Sequence, residues 1–366
     1  MDTNHPDFLP PHCPNPNCLY HKQLTSGWRY KRIGTFRRQT APRCIPRFLC
    51  KHCKRSFSTQ TFSTTYWLKR PEILPQLLSK TTGCMANRQI ARDLRVAPST
   101  IDGQLERLGR HCLLYHTELM RTAKPAVCVA IDGFVTFEHS QYWPFHHHVA
   151  VEKESDFLVY FTDSEVRRSG AMTPAQKAKR LRLEQHYGKP PANAVHLDVK
   201  HLLEVVTGGQ RRVTVHSDDH RVYRRVLQEL PCEVIHLVTS SKERRDAGNA
   251  LFPINLLDML IRHSSANHKR ETIAWSKRRQ SSAERLAVFL VWRNYMNGRR
   301  EKKRNSPTPA QARGMLDHRV NVPELLERRI FISRLPLPAR WDQYYWKAIS
   351  TRVLPNQRRH TLRYAV

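Results

Sequence analysis

The chain has 366 residues, and its 62 Lys+Arg against 31 Asp+Glu leave a formal charge of +31 at pH 7. Such an excess repels itself unless a polyanion neutralises it, so nucleic acid is the first partner to consider. With 40% hydrophobic residues, 13 Phe, 12 Tyr and 7 Trp, the sequence can build packed cores; that excludes a disordered basic tail protein, and the lack of any run of 18 apolar residues argues against a transmembrane helix.

Residues 1–70 hold 13 Lys+Arg against 2 Asp+Glu and show little helical periodicity. Two tight cysteine pairs stand out here, Cys13-x4-Cys18 and Cys50-x2-Cys53, 31 residues apart. Each pair can supply two thiolates from one turn to a tetrahedral zinc ion. A segment so poor in large apolar residues needs such a staple to fold. Cys44 and His52 are competing ligands. Cys84, Cys112, Cys128 and Cys232 read as ordinary buried thiols. Arg29, Lys31, Arg37, Arg47 and Arg55, interleaved with Trp28, Tyr30, Phe36 and Phe48, give this zinc ribbon the chemistry of a DNA clamp.

Residues 71–124 change to helical spacing, as in Ile73, Leu74, Leu77, Leu78 and Ile101, Leu105, Leu108, Cys112. Asn87–Leu94 reads as a short helix capped by Asn87, Arg95–Pro98 as a turn, and Ser99 as the cap of a second helix. This is the pattern of a helix-turn-helix, whose second helix enters the major groove of double-stranded DNA. Thr100, Asp102, Gln104 and Arg107 are its expected exposed positions, with Arg88 and Ser99 beside them.

From 125 to about 298 the pattern turns to strands and helices. Ala126–Ile131, ended by Asp132, is the first strand. His147–Val151 and Phe157–Phe161 complete an antiparallel meander, with His146-His147-His148 read as strand surface. A basic helical insertion occupies about 165–195. A helix through Leu202 and Val206, strand Val213–His216, helix 220–229, strand Glu233–Val238 and a long helical region from Ile254 to Tyr295 follow. Three strands, helix, strand, helix, strand is the order of an RNase H-like α/β core with a mixed sheet. The whole is a multidomain α+β chain, and residues 299–366 form a basic, aromatic C-terminal tail.

Metal-dependent phosphoryl transfer on such a core needs carboxylates at adjacent strand ends, because hard divalent cations take oxygen ligands. Asp132 ends the first strand and Asp218 the fourth, and these two strands are neighbours in the fold. Asp218 is preferred over Asp219 because it directly follows its strand. A third carboxylate is expected from a later helix. Glu271 is the choice, with Glu243, Asp246, Asp258 and Glu284 as rivals. Lys277 and Arg278 fall about two turns later, where they would hold a phosphate.

Taken together, Cys13…Cys18…Cys50-Lys51-His52-Cys53, the strand Ala130-Ile131-Asp132, the phrase His216-Ser217-Asp218-Asp219-His220-Arg221-Val222-Tyr223, Arg270-Glu271-Thr272-Ile273-Ala274 and Pro307–Gly314 resemble the DDE transposases of bacterial insertion sequences that carry an N-terminal zinc ribbon and helix-turn-helix. The similarity runs over roughly 10–315. It implies a DNA transposase in which Asp132, Asp218 and Glu271 hold two Mg²⁺ or Mn²⁺ ions beside one structural Zn²⁺. Cleavage of transposon ends and strand transfer into target DNA would follow, in a homo-oligomer on DNA, in the cytoplasm and at the nucleoid. The alternative is a domesticated sequence-specific DNA-binding protein without transposition activity. An RNase H-like nuclease acting on RNA shares the carboxylates, but a helix-turn-helix argues against it, since RNA duplexes hide their major groove.

Overall fold

The computed structural model describes residues 8–22 and 27–361. Its N-terminal part is a three-stranded antiparallel sheet, β1 (Tyr30–Arg37), β2 (Cys44–Cys50) and β3 (Ser56–Ser58), preceded by the one-turn helix α1 (Leu19–Lys22). Its core is small and aromatic. Phe48, Phe57 and Phe62 pack with Phe8 and with Phe331, which arrives from the far end of the chain. Backbone bonds tie the two ends together, Arg329 N donating to Phe62 O at 2.8 Å.

Three helices follow: α2 (Leu74–Thr82), α3 (Asn87–Asp93) and α4 (Pro98–Met120). The α3–α4 turn occurs where expected, but neither cap does. Ala86 and Ala97 are the N-caps, so Asn87 and Ser99 lie inside their helices. Pro98 sits in the first turn of α4, where its missing N–H is harmless. At 23 residues α4 is far longer than a recognition helix needs, and from Gln104 onward most of its residues are buried. It packs against α9 (Arg279–Val291) so closely that a Cβ on Gly109 would lie 2.8 Å from Glu284 O.

The centre of the molecule is a five-stranded sheet of β4 (Cys128–Phe137), β5 (Pro144–Glu152), β6 (Phe157–Glu165), β7 (Arg212–Ser217) and β8 (Glu233–Val238), in spatial order β6-β5-β4-β7-β8. The first three strands are antiparallel, and β4–β7 and β7–β8 pair parallel. That is the strand order of an RNase H-like core, an α+β arrangement with a mixed sheet. Between β6 and β7 come α5 (Pro174–Tyr187), the expected basic insertion, and α6 (Ala194–Thr207). Helix α7 (Arg221–Leu227) links β7 to β8, and α8 (Phe252–Ser264) follows. Thr162 of β6 donates to Asp198 O of α6 on one face, while His147 of β5 meets Ser282 of α9 on the other. Both faces are therefore covered, and His147 and His148 are buried, not strand surface. Their alternation was legible; the second covering layer was not.

Two further expectations change. The helical region after Ile254 is two helices, α8 and α9, separated by a non-helical loop over 265–278. The segment after 299 is no detached tail. Beyond the short helices α10 (Pro309–Ala312) and α11 (Val322–Leu325), helix α12 (Ala339–Tyr345) drives Trp341 and Tyr344 into the main core. The anchor is Asp163 of β6, which is fully buried. It faces Arg279 of α9 at 3.2 Å and Arg340 of α12 at 2.9 Å, and it accepts from the Tyr344 hydroxyl. Although burial opposes ionisation, the two guanidiniums hold its carboxyl down to about 2. Asp163→Ala would leave buried Arg279 to Glu165 and part-buried Arg340 to Asp198, and we expect it to lower unfolding free energy by about 3 kcal/mol. Denaturant titration checks this, and an unchanged midpoint would contradict it.

Candidate functional site

The parallel pairing of β4 with β7 sets the site. Cys128 lies level with Thr214, Val129 with Val215 and Ala130 with His216. The same offset carried two residues on brings Asp132 level with Asp218, the residue immediately after β7. Adjacent strands are about 4.8 Å apart, so the two carboxylates leave the sheet side by side. Contrary to the expectation from sequence, Asp132 does not end its strand. β4 continues to Phe137, paired there with β5 alone. The aspartates thus stand where β7 departs and β4 goes on, in the crevice outside the carboxyl ends of the parallel strands, a usual place for a ligand.

Asp132 Oδ1 accepts from Gly133 N at 2.6 Å. Burial first, and then the Asp218 charge, push its carboxyl up to about 6. Asp218 Oδ1 accepts from His220 N at 3.0 Å, which turns the chain into α7. Asp219 turns away, toward Ser241 Oγ at 3.4 Å. A third acid joins from α8. Burial, followed by repulsion from Asp132, pushes Asp258 up to about 7. Tyr223 of α7 is buried among all three, and after desolvation it is Asp132, Asp218 and Asp258 that raise its phenol. Arg245, Arg262 and Arg270 act as positive charges on Asp132 or Asp258.

Glu271 is not on a helix. It lies exposed in the 265–278 loop, one residue after Arg270. Of its rivals, Glu243 and Asp246 are exposed in the loop after β8, and Glu284 is buried in α9, bonded by Gln280 at 2.9 Å. Asp258, buried in α8, feels the Asp132 charge. Its signal was present in the sequence, because it is the single acid in the otherwise apolar and basic α8, FPINLLDMLIRHS. The donor set, three carboxylates and no thiol, suits hard divalent cations. Among the described residues no three carboxylate oxygens lie within 4.8 Å of one another.

Four thiols do converge. The Sγ atoms of Cys13, Cys18, Cys50 and Cys53 all lie within 4.8 Å of one another, and Cys44 is exposed elsewhere. Zn–S bonds of about 2.3 Å in a tetrahedron put sulfurs about 3.8 Å apart, and the Cys13–Cys53 separation is 3.6 Å. His52 stands outside this set, with Nδ1 3.6 Å from Cys18 Sγ. Trp28 Nε1 donates to Cys50 Sγ at 3.3 Å; burial opposes the thiolate, but this and neighbouring N–H donors bring Cys50 down to about 7.

On the helical unit, Arg88 and Ser99 are exposed and Thr100 is half-buried. Gln104 and Arg107 are not exposed, contrary to expectation. Gln104 Nε2 donates to Arg70 O at 2.8 Å, and Arg107 Nη1 donates to Thr64 O at 2.9 Å and Tyr66 O at 2.7 Å. Both point inward because α4 is a core helix, exposed mainly at its first turns. Lys277 and Arg278 sit in the loop just before α9 instead of on a helical face. Lys277 lies over the Trp275 ring at 3.5 Å, and its ammonium is pulled down by burial and by the Arg88 charge. Arg278 Nη1 donates to Pro355 O at 3.0 Å.

No protein-family model matches the chain, and no curated protein matches it. Among solved structures, a strand transfer complex of the Mos1 transposase is 12% identical, covering 74% of this chain and 76% of that one at a TM-score of 0.25. A simian T-cell lymphotropic virus intasome is 14% identical over 65% of this chain and 72% of that one, TM-score 0.25. A piggyBac transposase synaptic complex is 10% identical over 47% of this chain and 41% of that one, TM-score 0.28. At this level of superposition the likeness fixes neither residues nor chemistry.

The raised carboxyls have a measurable signature in metal-free protein. Asp132 titrates near 6 and Asp258 near 7 in the fold, above about 3.9 in the unfolded chain. The folded state therefore holds more protons between pH 4 and 7, and stability falls as pH rises through that window. Asp132→Asn removes part of this fall. The variant should exceed the parent by about 1–3 kcal/mol at pH 8 and lose its advantage at pH 4, as chemical denaturation at both pH values would reveal. A variant less stable than the parent at pH 8 would contradict the burial and repulsion that raise this carboxyl.

Proposed function

We propose that the chain is a metal-dependent DNA transposase, cleaving element ends and transferring strands to target DNA through the Asp132–Asp218–Asp258 crevice. The observation that carries this reading is the common β4–β7 register, which sets two carboxylates side by side, with a third from α8, on a chain of +31 charge. Asp258 replaces Glu271 as the third acid in this proposal. Two Mg²⁺ or Mn²⁺ ions held by the three carboxylates would activate an attacking oxygen and neutralise charge at the leaving oxygen.

The chain's own residues supply the setting. Arg245, Arg262 and Arg270 border the acids and hold the scissile phosphate by charge-assisted hydrogen bonds. The Gly133 and His220 amides fix one oxygen each of Asp132 and Asp218, leaving the other oxygens for ligation. Tyr223, kept neutral by its surroundings, walls the crevice beneath the carboxylates.

The remaining parts bind. Cys13, Cys18, Cys50 and Cys53 hold one structural Zn²⁺. Arg88, Ser99 and Thr100 at the exposed start of the helix-turn-helix, with Lys277 and Arg278 on the loop beside it, contact double-stranded DNA. Such an enzyme acts as a homo-oligomer, since two ends must be held together. The resemblance to bacterial insertion-sequence transposases carries with it a cytoplasmic, nucleoid-associated setting as part of this proposal.

Two experiments check the proposal. Asp132→Asn, Asp218→Asn and Asp258→Asn should each reduce end cleavage by at least about 10³-fold with duplex binding intact, because the three act as one unit, whereas Glu271→Gln should cleave at close to the parental rate. Cleavage lost in Glu271→Gln and kept in Asp258→Asn would return the third ligand to Glu271. Full activity in Asp132→Asn would leave a DNA-binding protein without catalysis. Separately, elemental analysis should find about one zinc per chain, and Cys50→Ser with Cys53→Ser should abolish it; zinc retained in that double variant would refute the thiol site.

A further inference from the structure

A groove of about 1120 Å³ runs between the ribbon sheet and the segment Tyr66–Lys69, floored by Arg329 and Phe331. Arg38, Arg47, Arg55, Lys69 and Arg329 line it, and among the described residues no Asp or Glu does. Arg47, Arg55 and Lys69 are exposed. Over the groove stands Trp67, 63% exposed, an indole face left in water. Phe36 adds a second, 39% exposed ring. Single exposed apolar residues need no explanation, but two aromatic faces set among cations in one concavity do.

The indole is also held deliberately. Trp67 has φ of 62°, a left-handed conformation that bulky side chains rarely adopt. Its loop is fixed from below by Arg107, whose Nη1 takes the Thr64 and Tyr66 carbonyls. Arg329 is buried, donates to Thr61 O at 3.1 Å and stacks on Phe331 at 4.4 Å, yet its Nε has no hydrogen-bond partner. A buried guanidinium and an exposed indole thus line one groove.

We propose that this groove binds a few unpaired nucleotides of a DNA strand, a base stacking on Trp67 while Arg47, Arg55 and Lys69 take the phosphates. The shape decides against a duplex. A duplex groove is read by an element that protrudes into it, whereas a concave, aromatic, cationic cleft receives a strand whose bases are free to stack. The inference rests on reading the chain as a DNA-acting protein, and it is independent of the carboxylate crevice.

The test uses the full chain, oligothymidylate and a blunt duplex of equal length, each followed by fluorescence anisotropy. Trp67→Ala should weaken oligothymidylate binding about 10-fold, the scale of one base–aromatic stack, and change duplex binding less than about two-fold. Trp67→Phe should restore most of the loss. Because Trp67 is exposed, these variants fold, and an unchanged zinc content verifies it. Equal losses on both DNAs, or unchanged oligothymidylate binding in Trp67→Ala, would overturn the proposal. Asp132→Asn should bind oligothymidylate like the parent, so loss of cleavage and loss of strand binding are separable.

Discussion

The catalytic reading of this protein depends on the pairing of two parallel strands. Ala130 of β4 is level with His216 of β7, and that register alone decides that Asp132 and Asp218 share a crevice. A slip of one residue would send one carboxylate to the opposite face of the sheet. The register is held by a core that covers both sides, with Val129, Ala130, Ile131 and Val215 fully buried. Hydrophobic packing therefore secures two carboxyls at close quarters, and the raised Asp132 and Asp258 carboxyls record first their burial and then their mutual repulsion. Such a penalty at a cluster in a crevice is the usual mark of a functional site.

The rest of the architecture serves to hold that centre and to gather DNA around it. The far end of the chain returns to strap the fold, at Phe331 against the ribbon and at Tyr344 and Arg340 around Asp163. A single polypeptide circuit thus couples the thiol site, the helical unit and the sheet. Arg107 illustrates the economy. It supports the loop that presents Trp67 instead of meeting DNA itself.

Sequence patterns exposed what is local or periodic. The cysteine pairs, the alternating strands, the α3–α4 turn and the aspartate that follows β7 are all short-range signals, and each is found at its place. What escaped depends on tertiary packing. Gln104 and Arg107 occupy positions that an isolated recognition helix would expose, but α4 is sandwiched against α9 and turns them inward. Polar Arg270-Glu271-Thr272 resembled a solvated helical face, but that stretch is a loop. Asp258, the single acid of α8, stood among the rivals in the sequence, but its burial near Asp132 depends on packing. Trp341 and Tyr344 gave no hint of which core they would enter, because their partners lie more than 170 residues away.

The central claim is that Asp132, Asp218 and Asp258 together are a divalent-cation site. Crystals of the protein soaked in Mn²⁺ test it most directly, through anomalous difference density at the manganese edge. The account predicts peaks about 2.0–2.2 Å from oxygens of Asp132 and Asp218, with Asp258 completing the shell and Glu271 remote. Peaks that engage Glu271 and leave Asp258 outside, or no peak in the crevice at all, would contradict it.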